Sequence, residues 1–172
     1  MQVPADIPPS DWAGVLSPRV FDNLPTQGLR VFTVDNALSD TEACSAAYGI
    51  ALEDCANTLV LKAKIAGGER YVAAVTLATR RLDVNGLVRA ALQAQKVSFA
   101  PGDFVAAQSG MESGGVTAFG LPPDWLVLVD SAVLLRDRVV MGAGRREAKL
   151  DLPAAALRDL HNVVVADISH PK

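Results

Sequence analysis

The chain has 172 residues, half of them apolar and a fifth charged, and its 16 Lys and Arg against 19 Asp and Glu leave a formal charge of −3. One domain with a sizeable core is expected, and an overall basic field is excluded, so a nucleic-acid partner must be met by a local patch. Cys44 and Cys55 are the only cysteines and His161 and His170 the only histidines, which argues against a disulfide framework, a metal site or another cofactor.

Residues 1–28 carry Pro4, Pro8, Pro9, Pro18 and Pro25 without sustained periodicity, and read as an irregular arm with one helical turn near Trp12–Leu16. The first residues offer neither a basic nor an apolar leader region, so export is not expected. Trp12, Val15, Leu16 and Phe21 are expected to dock the arm on a single domain formed by residues 29–172. Leu29–Val34, rich in β-branched and aromatic residues, reads as the first strand. Ser39-Asp40-Thr41-Glu42 has the capping-box form and starts a helix that Gly49 stops. Thr58–Ala63 and Tyr71–Thr76 flank Gly67-Gly68 as a hairpin.

Asp83 suits the N-cap of a second helix, with Val84, Leu87, Val88 and Ala91 spaced for one face. Lys96–Ala100 is a short strand, and Pro101 opens a third helix to about Gln108. Trp125–Val129 is a near-continuous apolar strand, with further strands at Arg138–Met141 and Ala148–Leu152. Pro153–Leu160 makes a last helix and Val163–Ile168 a last strand, leaving His170 in a frayable tail. No segment approaches the roughly 18 consecutive apolar residues of a membrane span. The result is an α/β chain of the α+β type with about seven strands and four helices.

Between the third helix and the Trp125 strand lies Ser113-Gly114-Gly115-Val116-Thr117-Ala118-Phe119-Gly120-Leu121-Pro122-Pro123. Paired glycines remove Cβ and permit φ > 0, so neighbouring N–H groups can converge on a ligand oxygen. A sheet corner or bulge is the other reading. His161 is the sole histidine outside the tail, so Ser-His-Asp or Cys-His catalysis is poorly provided for. Chemistry is expected from backbone, hydroxyls, guanidiniums or the substrate itself.

From about Asp40 to Ile168 the chain resembles the YbaK/EbsC family of aminoacyl-tRNA deacylases, relatives of the editing insertion of bacterial prolyl-tRNA synthetases. The residues that carry the resemblance are Asn57-Thr58-Leu59-Val60, Ala78-Thr79-Arg80-Arg81-Leu82-Asp83 and Ser109-Gly110 through Gly114–Gly120. Val129-Asp130-Ser131 and Gly142-Ala143-Gly144-Arg145-Arg146 before Lys149–Leu152 complete the set. The resemblance implies a mixed, partly barrel-like sheet with flanking helices, freestanding and cytoplasmic. It implies hydrolysis of the ester joining a wrong, small amino acid to a tRNA 3′-adenosine, with water attacking and the substrate's ribose hydroxyl assisting. The implied partners are the aminoacyl-tRNA 3′ end and an aminoacyl-tRNA synthetase, with no membrane and with monomer and homodimer both open.

Within that frame Gly114, Gly115 and Val116 would offer backbone groups to the ester. Thr117 would either place a hydroxyl beside them or fill a strand position, and Ala118, Thr79, Asp130 and Ser131 complete the expected substrate contacts. For Ser131 a turn cap is the alternative. Arg145 and Arg146, with Arg80 and Arg81, could grip phosphate, or serve as ordinary paired surface arginines. Two departures stand out. Asn57 occupies the position of a family lysine thought to hold the terminal phosphate, so a compensating cation is expected from Arg145, Arg146 or Arg80. Ala118 replaces a proline that would fix the glycine loop. Both departures also suit a member that binds without hydrolysing, and a third reading is an unrelated hydrolase using Ser131 or Ser113.

Overall fold

The computed structural model describes residues 1–172. Eleven strands form: β1 (Ala5–Ile7), β2 (Arg30–Thr33), β3 (Ala56–Ile65), β4 (Gly68–Leu77), β5 (Arg80–Leu82), β6 (Lys96–Phe99), β7 (Leu126–Asp130), β8 (Arg138–Gly142), β9 (Ala148–Pro153), β10 (Val163–Ala166) and β11 (Ser169–Pro171). The helices are α1 (Trp12–Val15), α2 (Pro18–Phe21), α3 (Thr41–Tyr48), α4 (Arg89–Ala91) and α5 (Gly102–Ser109), with short 3₁₀ turns between elements. The mixed α/β class agrees with the sequence reading, but the strand count exceeds the expected seven. The three strands that match no segment read from the sequence, β1, β5 and β11, are three residues long, too short to show a period.

Three sheets result, ordered β1-β2-β9-β8, β10-β7-β4-β3-β6 and β11-β5. The hairpin β3–β4 runs in register from Ala56 opposite Leu77 to Ile65 opposite Gly68. A parallel bridge between Cys55 and Val140 joins the two larger sheets, so they wrap partway round a shared core without closing a barrel. That core contains Val31, Leu150, Leu152, Val139 and Met141 from one sheet and Val75, Leu77, Val127 and Val129 from the other. The alternate residues Val72, Ala74, Leu61 and Leu128 pack with Val88 and Ile168 on the opposite face. The outer face of the first sheet is also covered, because Phe32 packs with Cys44 and Tyr48 of α3.

Several local expectations change. The arm is not irregular throughout: β1 pairs with β2, and Leu16 and Val20 are fully buried. Asp40, not Ser39, is the N-cap of α3 and makes no side-chain cap bond, its carboxylate meeting Arg146 instead, while the Ser39 hydroxyl donates to the Asn36 carbonyl. Gly49 stops α3 at φ 67° as expected. Asp83 caps the second helix through Gly86 and Leu87 N–H groups, which also holds its pKa below the usual carboxylate value, but the first turn is π-type. Pro101 sits at the N-cap of α5, and the last helix is 3₁₀ (Ala154–Asp159). His170 is not in a loose tail: β11 pairs with β5, and the His170 ring lies 3.3 Å from Asp83.

Candidate functional site

β3 changes partners along its outer edge. At Cys55 it meets β8, and from Leu61 onward it pairs with β6. Between those points no strand covers the edge, which carries the Ala100 N–H to Val60 carbonyl bond. A cavity of about 350 Å³ opens there, walled by β3, α5, the Ser113–Val116 loop, the start of α3, and β8 and β9. Its size falls at the small end of ligand sites, and most of its wall is apolar.

The glycine loop is held by close backbone packing against residues 142–146. A Cβ on Gly115 would lie 2.6 Å from the Arg145 carbonyl carbon, and one on Gly142 would lie 2.7 Å from the Gly115 and Val116 carbonyl oxygens. The Gly115 N–H donates to the Glu112 carbonyl, and its own carbonyl accepts from Gly144 N–H. Gly115 is therefore behind the wall, with its amide spent. The N–H groups of Gly114 and Val116 make no bond within the protein, and both residues line the cavity.

Lys149 supplies the cation. Its side chain is 6% exposed, lines the cavity and donates to the Ser39 carbonyl at 2.8 Å. Burial lowers its pKa, with nearby Cys44 pulling the other way. Strand alternation places Lys149 opposite in face to Ala148 and Leu150, on a side that reads as solvent-facing. Only the docking of α3 and its approach over that face turns it inward, so sequence reasoning passed over it. Beside it on the wall, Asn57 Oδ1 accepts from the Thr41 hydroxyl at 2.7 Å. That bond aims the amide NH₂ away from Thr41, leaving two donors for a ligand.

The other expected residues divide. Thr117 and Ala118 are buried and off the cavity wall, and the Thr117 N–H is directed to Met111 sulfur. Phe119 is in the main core and anchors the loop that lacks the family proline. Asp130 is 1% exposed and is used by Thr76, Ser169 and Arg80. The Ser131 hydroxyl bonds Asp167, and the Thr79 carbonyl accepts from Lys172 N–H. Arg81 stands exposed opposite His170. None of Thr79, Arg80, Arg81, Asp130 or Ser131 lines the cavity.

Arg145 is exposed and reaches the Gly14 carbonyl at 3.5 Å. Arg146 acts as a tie at the cavity margin. Its guanidinium reaches Asp40 at 3.1 Å, Asn36 at 3.3 Å and the Ser113 carbonyl at 3.4 Å. It is thereby committed to joining three segments.

Neither histidine lines the cavity, so the Ser113 hydroxyl on its wall has no histidine base beside it. Burial pushes the Cys55 thiol up to about 11 and raises Cys44 as well, so both wall cysteines stay protonated and weakly nucleophilic at neutral pH. Beside Asp40, Thr41 and Ser113, the wall carries the Asn57 carboxamide, the Lys149 ammonium and two residues, Gly114 and Val116, whose backbone amides are unpaired. Such an arrangement grips and polarises a carbonyl or phosphate oxygen and leaves attack to water.

Residues 35–160 match a family model described as an aminoacyl-tRNA editing domain. Among solved structures, the hypothetical protein APE2540 is similar at 26% identity and TM-score 0.73, over 83% of this chain and 91% of that one. A candidate trans-editing enzyme for prolyl tRNA synthetase is similar at 22% identity and TM-score 0.75, over 90% and 99%. A scaffold protein used for epitope backbone grafting is similar at 23% identity and TM-score 0.73, over the same shares. No curated protein sequence matches.

Proposed function

Because the chain belongs to the aminoacyl-tRNA editing domain family, we propose that it acts in trans, in the cytoplasm, to hydrolyse the ester joining a wrongly attached small amino acid to the 3′-terminal adenosine of a tRNA. The observation that carries this reading is that Gly114 and Val116, whose amides make no bond within the protein, line one cavity together with Asn57 and Lys149, and that no histidine lies beside them. The amides hold the ester carbonyl and stabilise the oxyanion that forms when water adds to it. The substrate's adjacent ribose hydroxyl orients that water. Collapse of the intermediate breaks the ester C–O bond, and the departing ribose oxygen takes up a proton to give free amino acid and uncharged tRNA.

Lys149 stands in for the family lysine that Asn57 replaces, holding phosphate or ribose oxygen. Oxyanion donors of this kind contribute about 3 kcal/mol each, and orientation of the reactants adds to it. A synthetase that presents the tRNA suits a protein with net charge −3.

Incubation with a panel of mischarged tRNAs tests the reading: the wild type accelerates deacylation of at least one. The variant K149M retains its fold by circular dichroism and loses about 100-fold in rate. No acceleration over spontaneous hydrolysis on any tRNA would overturn the proposal. Asn57 also favours a second reading, a member that binds charged tRNA without cleaving it. In that case N57K raises a negligible rate. In ours it lowers an existing one, by breaking the Thr41 bond and crowding a second cation beside Lys149.

A further inference from the structure

The cavity wall includes an exposed apolar ledge that the proposed reaction does not use. Phe99 and Leu59 both line the cavity, and they are 61% and 39% exposed. Register places them together. Leu61 of β3 stands opposite Phe99 of β6, so Phe99 lies diagonal to Leu59, within reach of an aromatic ring. Side chains alternate along a strand, so Asn57, Leu59 and Leu61 share one face of the sheet, and the pairing puts Phe99 on that face too. Leu61 is fully buried, whereas Leu59 and Phe99 are open to solvent. The other exposed large apolar side chains, among them Phe21, Leu135, Val164 and Val165, do not line the cavity. Single exposed apolar residues are ordinary. Two side by side, in line with a polar group of the candidate site, make a surface for a ligand.

Resting on the deacylase reading, we propose that Phe99, flanked by Leu59, is a base-binding residue: the adenine of the substrate's 3′-terminal adenosine stacks on its ring. A cavity of about 350 Å³ is at the small end of ligand sites, so it takes the aminoacyl ribose and leaves the base on the exposed part of the wall. A nucleobase has an apolar face and a polar edge. A ledge covers the face and leaves the edge to water, whereas a closed pocket would have to pair every polar atom of that edge. Stacking needs no charge and accepts any base, because every base has a π-face. Two side chains are far fewer than the roughly 20–30 residues that a protein partner covers, which favours a base as the occupant. The base is joined to the ribose that carries the ester, so holding it on Phe99 helps to orient the reacting group.

The test uses the full chain and three non-hydrolysable probes: the alanyl amide of 3′-amino-3′-deoxyadenosine, its 2-aminopurine counterpart and a counterpart that lacks the base. By calorimetry the wild type binds the adenosine probe about tenfold more tightly than the base-less one, and it quenches the 2-aminopurine fluorescence, which reports stacking. F99A retains its fold by circular dichroism, as suits a mostly exposed side chain. It loses the tenfold on the adenosine probe, binds the base-less one as the wild type does, and leaves the fluorescence unquenched. F99W restores both signals. On a mischarged tRNA the loss in F99A falls on KM rather than kcat. Equal affinity of the wild type for the adenosine and base-less probes overturns the proposal, as does an adenosine probe that F99A binds as tightly as the wild type. A defect of F99A seen only with a synthetase present, the probes binding as before, overturns it too and gives the ledge to a protein partner. Base discrimination without deacylation of any tRNA upholds the Phe99 platform and removes the hydrolytic reading. Deacylation without base discrimination does the reverse, and neither binding nor deacylation removes both.

Discussion

Cys55 shows how one side chain's burial becomes a property of the whole protein. It is 4% exposed and its thiol is pushed up from 9.0 to about 11, chiefly by loss of solvent and next by neighbouring Cys44 and Asp54. The native state holds the proton after the unfolded chain has released it. Its contribution is therefore intact below pH 9 and is lost as pH rises through 11. Two units correspond to a loss on the order of 3 kcal/mol once the native thiol ionises. Urea titrations between pH 7 and 11 should show stability falling more steeply in the wild type than in C55A, even though C55A starts lower because of its small cavity. Parallel curves would remove the assignment. Lys149, lowered by the same burial, pulls the other way: the unfolded chain binds its proton more tightly, so stability gains as pH rises towards 10.5. Neither group's burial was legible in the sequence, because it depends on α3 and β8 arriving from elsewhere in the chain.

At the scale of elements, the glycine loop works by fitting closely against the 142–146 segment. Paired glycines in the sequence gave two readings, amides bared to a ligand or a close backbone turn, and the second describes Gly115. Gly114, at φ 82°, lines the cavity with its amide free, while Gly115 is packed against the Arg145 main chain. Gly115→Ala must push two backbones apart. It is expected to cost roughly 2 kcal/mol or more and to abolish deacylation, since Val116 moves with it. Gly14→Ala is the control: nothing lies within 4 Å of the added methyl and the residue is helical. That change is expected to be neutral or stabilising by up to about 1 kcal/mol, with activity kept. Thermal melts and a deacylation assay on the two variants check both statements.

Across the whole molecule, the C-terminal strand acts as a clasp. Ser169 on β11 bonds the buried Asp130, Arg80 reaches both residues, and Ile168 is fully buried in the second core cluster. Truncation after Asp167 takes the Ser169 and Ile168 bonds from a carboxylate that is 1% exposed and deletes a core side chain. It should destabilise the protein by at least about 3 kcal/mol, read as a lower urea midpoint. The cavity lies on the other side of β3, so deacylation at a temperature well below the transition should persist. Loss of activity with an unchanged midpoint would instead place Asp130 and Arg80 in the substrate path.

Composition, strand and helix periods and the ordered glycine and arginine motifs determined the mixed α/β class, most of the longer elements and the family. Those signals are local, or survive as fixed motifs along the chain. The tertiary structure alone decided which motif residues meet at one cavity. It committed Arg146, Arg80 and Asp130 to ties within the fold, and placed Lys149 on the cavity wall. The reason is that a side chain's solvent access depends on what packs over its strand, and here both faces of each large sheet are covered by segments distant in sequence.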